Sequence, residues 1–167
     1  MHAPTLKTQL ETCAWIVSRN LEGFDHEKSL KVLPGSEQSL NWVLGHIVAA
    51  RNGSLSLFGA EPLYPKQDFE PYGQRSAPLT EDEAIAFDEL VRRYDNLRRP
   101  WMEGLERLSE RDFAKPVPFS PRDNPDETVG SLLAILVYHE AYHTGQMGPL
   151  RRNAGLPNVL RNPRAGD

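Results

Sequence analysis

The amino-acid sequence predicts an all-α fold, a four-helix bundle in which two connections are long. Four segments carry apolar residues at the three- and four-residue spacing of an amphipathic helix, and no segment shows a convincing strand-like alternation. The 167 residues are also enough to enclose one apolar core without disulfide or metal staples. We therefore expect one domain, residues 1–167.

The first two helices are predicted in the N-terminal third of the chain. Apolar positions within residues 6–21 form the stripe of the first helix, and Gly23 is placed to terminate it. After an irregular stretch, Ser36 is placed to cap a second helix, whose apolar face lies within residues 40–58. This second helix is expected to end at about Gly59.

The third helix is predicted to begin at a capping box formed by Thr80 and Glu83. Its apolar residues follow the helical spacing over positions 87–108. Pro100 lies inside this segment and should bend the helix, because proline lacks an N–H donor and its ring collides with the preceding turn.

The fourth helix is predicted to begin at Thr128 and to bury an apolar side within residues 129–150. Gly155 and Pro157 are placed to close it. The connections are residues 59–79 and the segment before Thr128, and both are longer than a bundle usually needs. Such loops either serve a function or cover the ends of the bundle, and the sequence leaves both interpretations open.

Composition excludes several classes of protein. With 19 basic and 23 acidic side chains, the net charge of -4 does not resemble that of a nucleic-acid-binding protein. Four arginines near the end of the chain are interpreted as cations at a helix C-terminus and in a solvated tail. They are Arg151, Arg152, Arg161 and Arg164.

The expected location is the cytoplasm. Cys13 is the one cysteine, so no internal disulfide is expected, which fits a reducing compartment. The N-terminus lacks the pattern of a signal peptide, and the longest apolar run, residues 132–138, is too short to span a bilayer. We expect neither a leader nor a membrane anchor.

The fourth predicted helix contains the string H-E-x-x-H, from His139 to His143. At this spacing both imidazoles face the apolar side of the helix, roughly 6 Å apart along its axis. A lone inward histidine is usually a core residue. Two neutral imidazoles can bind one metal ion, whereas burying both without partners is unfavourable, so the pair favours a metal site.

A stable metal site needs a further ligand, and its position separates the candidate classes. Metalloproteases with this string usually take that ligand from downstream, where Asp167 is the one candidate and a poor one. Cys13 is interpreted as a core side chain, His2 as part of a frayed terminus and His26 as a surface-loop residue. His46 lies at the edge of the apolar stripe of the second helix, and an inward tilt would bring it opposite the histidine pair.

These residues make the sequence similar to the DinB-like, or damage-inducible, superfamily of helical bundles. The resemblance rests on NWVLGHIVAARN in the second helix and on HEAYHTGQM followed by LRRNAGLP in the fourth, and it covers essentially the whole chain. It implies a four-helix bundle with long crossover connections, often a homodimer. It also implies a metal site of three histidines, which in this sequence are His46, His139 and His143. Gly148 and Pro149 depart from the commoner pattern, and Pro149 should bend the fourth helix one turn past these ligands.

The implied cofactor is one divalent metal ion, with zinc or nickel preferred and iron(II) or manganese as alternatives. Three neutral imidazoles leave coordination positions open, which is typical of a catalytic site. Related enzymes activate small thiols such as mycothiol, bacillithiol or glutathione in isomerase and S-transferase reactions. The resemblance therefore implies a small-molecule substrate and a low-molecular-weight thiol. No nucleic-acid or membrane partner is expected.

The catalytic residues stay unknown from the sequence, with four weak candidates. Glu140 is predicted to point away from the ligand face, toward a helix boundary or the dimer surface. We interpret it as the partner of a salt bridge or of a ligand histidine in preference to a general base. Gln146 shares the inward face and either binds a ligand histidine or a bound water or is a buried structural amide. Arg51 either orients an anionic substrate or lies on the helix surface, and Tyr142 either lines a pocket or packs.

The sequence thus leaves three functions open. The first is a metal-dependent small-molecule enzyme such as a thiol-dependent S-transferase or isomerase. The second is a stress-associated metal-binding protein without catalysis. The third is a metal-dependent hydrolase that uses the H-E-x-x-H string.

Overall fold

The computed structural model describes residues 3–117 and 119–159, and every regular element within these ranges is a helix. The prediction of an all-α fold is confirmed. The longest helices are α1 (Ala3–Leu21), α3 (Leu40–Gly53), α4 (Phe87–Arg107) and α6 (Val129–Asn153). Shorter elements are the helices α2 (His26–Ser29) and α5 (Glu110–Phe113) and the 3₁₀ segments Ser54–Phe58 and Lys66–Tyr72.

The four long helices form a closed ring of contacts. Helix α1 packs mainly on α6, α6 on α3, α3 on α4, and α4 again on α1. The apolar stripes predicted from the sequence meet inside this ring. Its largest fully buried side chains include Leu44, Ile47, Leu90, Leu97, Trp101, Leu133 and Met147. In the part of the chain that the structure describes, none of the helices combines the length and apolar character of a membrane span.

The second predicted helix is shorter than expected. Its N-cap is Ser39 and not Ser36, because the Ser39 hydroxyl accepts the Trp42 N–H, whereas Ser36 accepts the N–H of Gln38 in the preceding turn. The α-helix ends at Gly53 and continues as a 3₁₀ segment up to Gly59, whose left-handed φ of 70° closes it. The predicted end at Gly59 is therefore the end of the 3₁₀ segment.

The predicted start of the third helix is wrong. Thr80 and Glu83 do bind each other, but they lie in a turn, and α4 begins at Phe87. The backbone of Ile85 explains the difference, because its N–H donates to the Tyr72 hydroxyl (2.7 Å) and its carbonyl accepts from the Asn41 amide (3.0 Å). These long-range bonds hold Ile85 outside a helical ladder. Helix α4 then runs through Pro100 as one element of 21 residues.

The fourth predicted helix has the expected limits. The Thr128 side chain accepts the N–H of Ser131 and the Ser131 hydroxyl accepts the N–H of Thr128, which completes a capping box. At the other end Gly155 has φ 81°, and the N–H groups of Gly155 and Leu156 bind the last turn of the helix. Helix α6 also continues through Pro149.

Arg151 and Arg152 lie in the last turn of α6, as the sequence analysis expects of cations near a helix C-terminus. The structure adds the contacts of Arg151. Its side chain is buried and donates to the carbonyls of Asn20 (3.0 Å) and Pro157 (2.6 Å), so it ties the end of α6 to the end of α1. The side chain of Arg152 is exposed. The predictions for His2, Arg161, Arg164 and Asp167 fall outside the described residues.

The long connection 59–79 contributes two aromatic side chains to the core. Its 3₁₀ segment packs on α3 and buries Phe69 and Tyr72. The Asn52 side chain anchors its first half by accepting the N–H of Leu63 (2.9 Å) and by donating to the Tyr64 carbonyl (2.9 Å). The connection is therefore packed against the helix that carries His46.

Gly45 makes room for this packing, and a Gly45→Ala variant tests it. A Cβ atom at Gly45 would overlap the Tyr72 ring, so we expect the free energy of unfolding to fall by about 1–3 kcal/mol. The matched control is Gly145→Ala in α6, where nothing beyond the adjacent turns of the same helix lies within 4 Å of the added Cβ. That variant should be neutral or more stable by up to about 1 kcal/mol, because alanine favours a helix. Urea unfolding measures both, and equal effects would contradict the packing argument.

Candidate metal centre

Helices α3 and α6 bring three histidines together. His46 on α3 faces His139 and His143 on α6, and one ring nitrogen of each lies within 4.8 Å of the other two. The Nε2 atoms of His46 and His139 are 2.9 Å apart. His143 is buried and the other two are partly buried. His46 thus faces the histidine pair, as the sequence analysis expects. His26 lies outside this cluster, and it is the first residue of helix α2 and not a loop residue as predicted.

Two of the histidines are oriented by hydrogen bonds from Nδ1. His46 Nδ1 lies 2.7 Å from the Tyr72 carbonyl, and because a carbonyl only accepts, Nδ1 carries the proton. His143 Nδ1 donates to Gln146 Oε1 at 2.7 Å, and the Gln146 amide donates in turn to Gln38 (3.3 Å). Both rings therefore carry the lone pair on Nε2, the atom that a metal ion would bind. In the structure the Nε2 atom of His46 is shared with His139.

The electrostatics keep the cluster neutral at pH 7. Burial, followed by the neighbouring His143 and His46, lowers the pKa of His139 to about 4. Burial also lowers the pKa of His46 and of His143, although the Tyr72 carbonyl and Gln146 oppose the shift. Neutral imidazole is the form that binds a metal ion, so no proton has to be displaced from these rings first.

These shifts predict how stability depends on pH. Between the ordinary pKa of 6.5 and the folded value of about 4, the unfolded chain binds a proton at His139 and the folded chain does not. The contribution of His139 to the free energy of unfolding of the metal-free protein should therefore be constant above pH 6.5. Below pH 6.5 this contribution should fall as the pH drops toward 4. Urea unfolding in the presence of a chelator measures the slope. A His139→Asn variant should show a shallower slope, and an unchanged slope would contradict the assignment.

Aromatic rings enclose the cluster on two sides. Trp42 stacks on His46 with ring centroids 4.7 Å apart and planes within 9°, and its indole N–H donates to the Ser76 hydroxyl at 3.2 Å. Tyr142 contacts His143 edge-on at 5.0 Å. Trp42 precedes His46 by one helical turn, so its place beside the ring follows from helical spacing. The sequence did not predict that the Tyr72 carbonyl and Gln38 contribute to this site. A backbone oxygen and a loop amide belong to no sequence pattern that would mark them.

Glu140 is buried at the boundary of α6 with α3 and α4, which is one of the two predicted alternatives, and it does not lie on an exposed surface. Its carboxylate accepts from Arg51 Nε (2.6 Å) and Nη2 (2.7 Å) and from the Tyr94 hydroxyl (3.0 Å). The salt bridge expected for Glu140 is thus present, with both oxygens bound. Arg51 is buried, so neither its predicted exposure on the helix surface nor a direct role toward substrate fits its position.

Cys13 belongs to the same interior region. Burial, and then the charge of Glu140, raises the pKa of its thiol to about 11. The thiol therefore stays protonated at pH 7 and serves as a core side chain, as the sequence analysis expects.

His139 also lines an open groove beside α6. The groove has a volume of about 650 Å³, which is within the range of small-molecule sites. Its other lining residues are Arg122, Ser131, Ala134, Ile135, Tyr138 and Tyr142. Tyr142 thus lines a cavity at the cluster. Arg122 comes from the loop before α6, and no sequence pattern pointed to it.

The fold and the cluster define an all-α bundle with three histidines that can hold a metal ion. The sequence profile of the DinB superfamily matches residues 9–147, a range that includes all three histidines. The chain belongs to the DinB superfamily, as the resemblance implied. A comparison with curated protein sequences finds no match, and neither does a comparison with solved structures.

Proposed function

We propose that the protein binds one divalent metal ion through His46, His139 and His143 and acts on a small molecule as a thiol-dependent S-transferase or isomerase. The observation that carries this proposal is that His139 belongs both to the cluster and to the wall of the groove. A bound metal ion would supply a Lewis acid that lowers the pKa of a coordinated thiol. A homodimer and a cytoplasmic location stay predictions.

The donor set supports a metal ion and narrows its identity. Three imidazole nitrogens suit zinc, nickel or iron(II), whereas manganese prefers oxygen ligands. The three rings are neutral at pH 7, and the Tyr72 carbonyl and Gln146 orient two of them with the lone pair on Nε2. The Trp42 ring shields His46 from water on one side.

Elemental analysis of the untagged protein tests the first step. We expect about one equivalent of zinc or nickel per chain. A metal-free preparation that also fails to take up added zinc or nickel would contradict the proposal.

The second step is tested by thiol conjugation to a chromogenic electrophile, with glutathione, mycothiol and bacillithiol as cosubstrates. We expect one of these thiols to support turnover that His139→Ala abolishes while circular dichroism shows an intact fold. Equal turnover by the variant and the wild type would contradict a metal-dependent reaction.

A non-catalytic metal-binding protein is the second candidate, and one observation favours it. Among the described residues that line the groove, none is a carboxylate, and Glu140 is held by Arg51 and Tyr94. The site therefore offers few groups for proton transfer. A metal-loaded protein without turnover on any of the three thiols, and less stable after chelation, would support this candidate.

The same contacts disfavour the hydrolase. A general base must reach the water or substrate, whereas Glu140 is buried, is paired with the Arg51 guanidinium and does not line the groove. Turnover of an unstructured peptide that disappears in Glu140→Ala would support a hydrolase.

A further inference from the structure

Two tyrosines on α6 are exposed beside the cluster without contributing to the core. Tyr138 is 73% exposed and Tyr142 is 60% exposed, and they lie one helical turn apart on the groove wall. Ala134 and Ile135 continue this wall toward the start of α6. Apolar surface next to a cluster of potential ligands is typical of a binding site for an apolar or aromatic group.

Arg122 adds one positive charge to this apolar wall. Among the described residues that line the groove, Arg122 is the one lysine, arginine, aspartate or glutamate. Within the described part of the chain, its single ion pair is a contact of 3.5 Å from Nη2 to Glu127, and its side chain is 59% exposed. Most of the five guanidinium N–H donors are therefore available for a ligand.

The loop that carries Arg122 is tied to the start of α6. A β-bridge joins Pro116 to Thr128, and the Val117 N–H donates to the Glu127 carbonyl at 3.0 Å. The Glu127 carboxylate is buried and accepts from the Ser120 hydroxyl (2.7 Å) and from Ser131. These contacts fix the turn next to the groove and leave Arg122 at its rim.

We infer that the groove selects an anionic small molecule with an aromatic or otherwise apolar body, and that Arg122 binds its acid group. The tyrosines would pack on the apolar body while the guanidinium forms charge-assisted hydrogen bonds to the oxyanion. Three neutral imidazole ligands would leave the charge of a metal ion uncompensated, which adds to the preference for an anion. This inference rests on the proposed function, because it names the substrate class of that site.

Binding of a matched acid and amide tests the inference. 3-Phenylpropionate and the neutral 3-phenylpropanamide are titrated into metal-free protein, and the ring signals of Tyr138 and Tyr142 are followed by NMR. We expect the acid to bind more tightly than the amide. Arg122→Gln should weaken binding of the acid roughly tenfold and leave the amide unchanged, because charge-assisted hydrogen bonds are lost.

Arg92→Gln is the matched control. Arg92 is 64% exposed and paired with Glu89 on α4, so it resembles Arg122 in exposure and pairing but lies away from the groove. It should leave the affinity of both compounds unchanged. Phenyl phosphate in place of the acid shows whether the preferred oxyanion is a carboxylate or a phosphate.

The inference is overturned if neither compound binds, if Arg122→Gln leaves the acid unaffected, or if it weakens acid and amide equally. Zinc uptake is measured on the same preparations by elemental analysis. If the protein takes up no zinc but still discriminates acid from amide, only the proposed function is contradicted, because the effect of Arg122 is measured without metal. Normal zinc uptake without discrimination between acid and amide contradicts the inference alone.

Discussion

Replacement of His139 by alanine is expected to weaken zinc binding by at least about 100-fold and to leave the helical fold intact. Loss of a residue that merely orients a ligand typically weakens metal binding 10- to 100-fold, so loss of a ligand should weaken it more. His46→Ala and His143→Ala should have effects of the same size, since one nitrogen of each residue belongs to the cluster. Competition with a chromophoric chelator at pH 7 measures the affinities.

His26→Ala is the control for these three variants. His26 is partly buried and lies in α2, outside the cluster. Its replacement should leave zinc affinity unchanged. If His26→Ala weakens zinc binding as much as His139→Ala, or if any cluster histidine can be replaced without loss, the three-histidine assignment is wrong.

Arg51→Met is expected to lower the free energy of unfolding by about 3–5 kcal/mol, because it leaves the Glu140 carboxylate buried without its partner. Burial alone would lower the pKa of Arg51, but Glu140 and Tyr94 raise it, which keeps the guanidinium charged. The ion pair joins residues 89 positions apart and links α3 to α6. Urea unfolding of the metal-free variant measures the loss.

Two further variants separate the ion pair from general packing. Arg99→Met removes an arginine from an exposed pair with Glu103 and should leave the stability nearly unchanged, because water and salt screen an exposed pair. The double variant Arg51→Met with Glu140→Leu should recover much of the loss, because no buried charge remains. If the double variant is as unstable as the sum of the single variants, the two side chains act independently and the argument fails.

Sequence patterns predict an element best when its signals act over short distances. Thr128, Ser131 and Gly155 bind atoms within a few residues of themselves, and the limits of α6 are predicted correctly. The start of α4 is predicted wrongly, because Tyr72 and Asn41 bind the backbone of Ile85 from 13 and 44 residues away. A capping box at Thr80 cannot reveal such competition.

The candidate site divides in the same way. The pairing of His139 with His143 follows from the helical period, whereas the approach of His46 follows from the packing of α3 on α6. Neither helix sequence alone predicts that Arg51 and Glu140 are buried. Each charge is tolerated inside the bundle because it is paired with the other. Periodicity places a lone arginine or glutamate on the surface by default.

The distances along the chain within the cluster have a consequence for the order of folding. His46 and His139 are 93 residues apart, and the Tyr72 carbonyl that orients His46 is 26 residues away from it. Closing such separations requires most of the chain to be in place, so local helix formation cannot assemble the three rings. Metal uptake by a refolding chain would therefore follow completed tertiary structure and not the earlier gain of helix. Nascent chains that end before α6 would lack two of the three histidines.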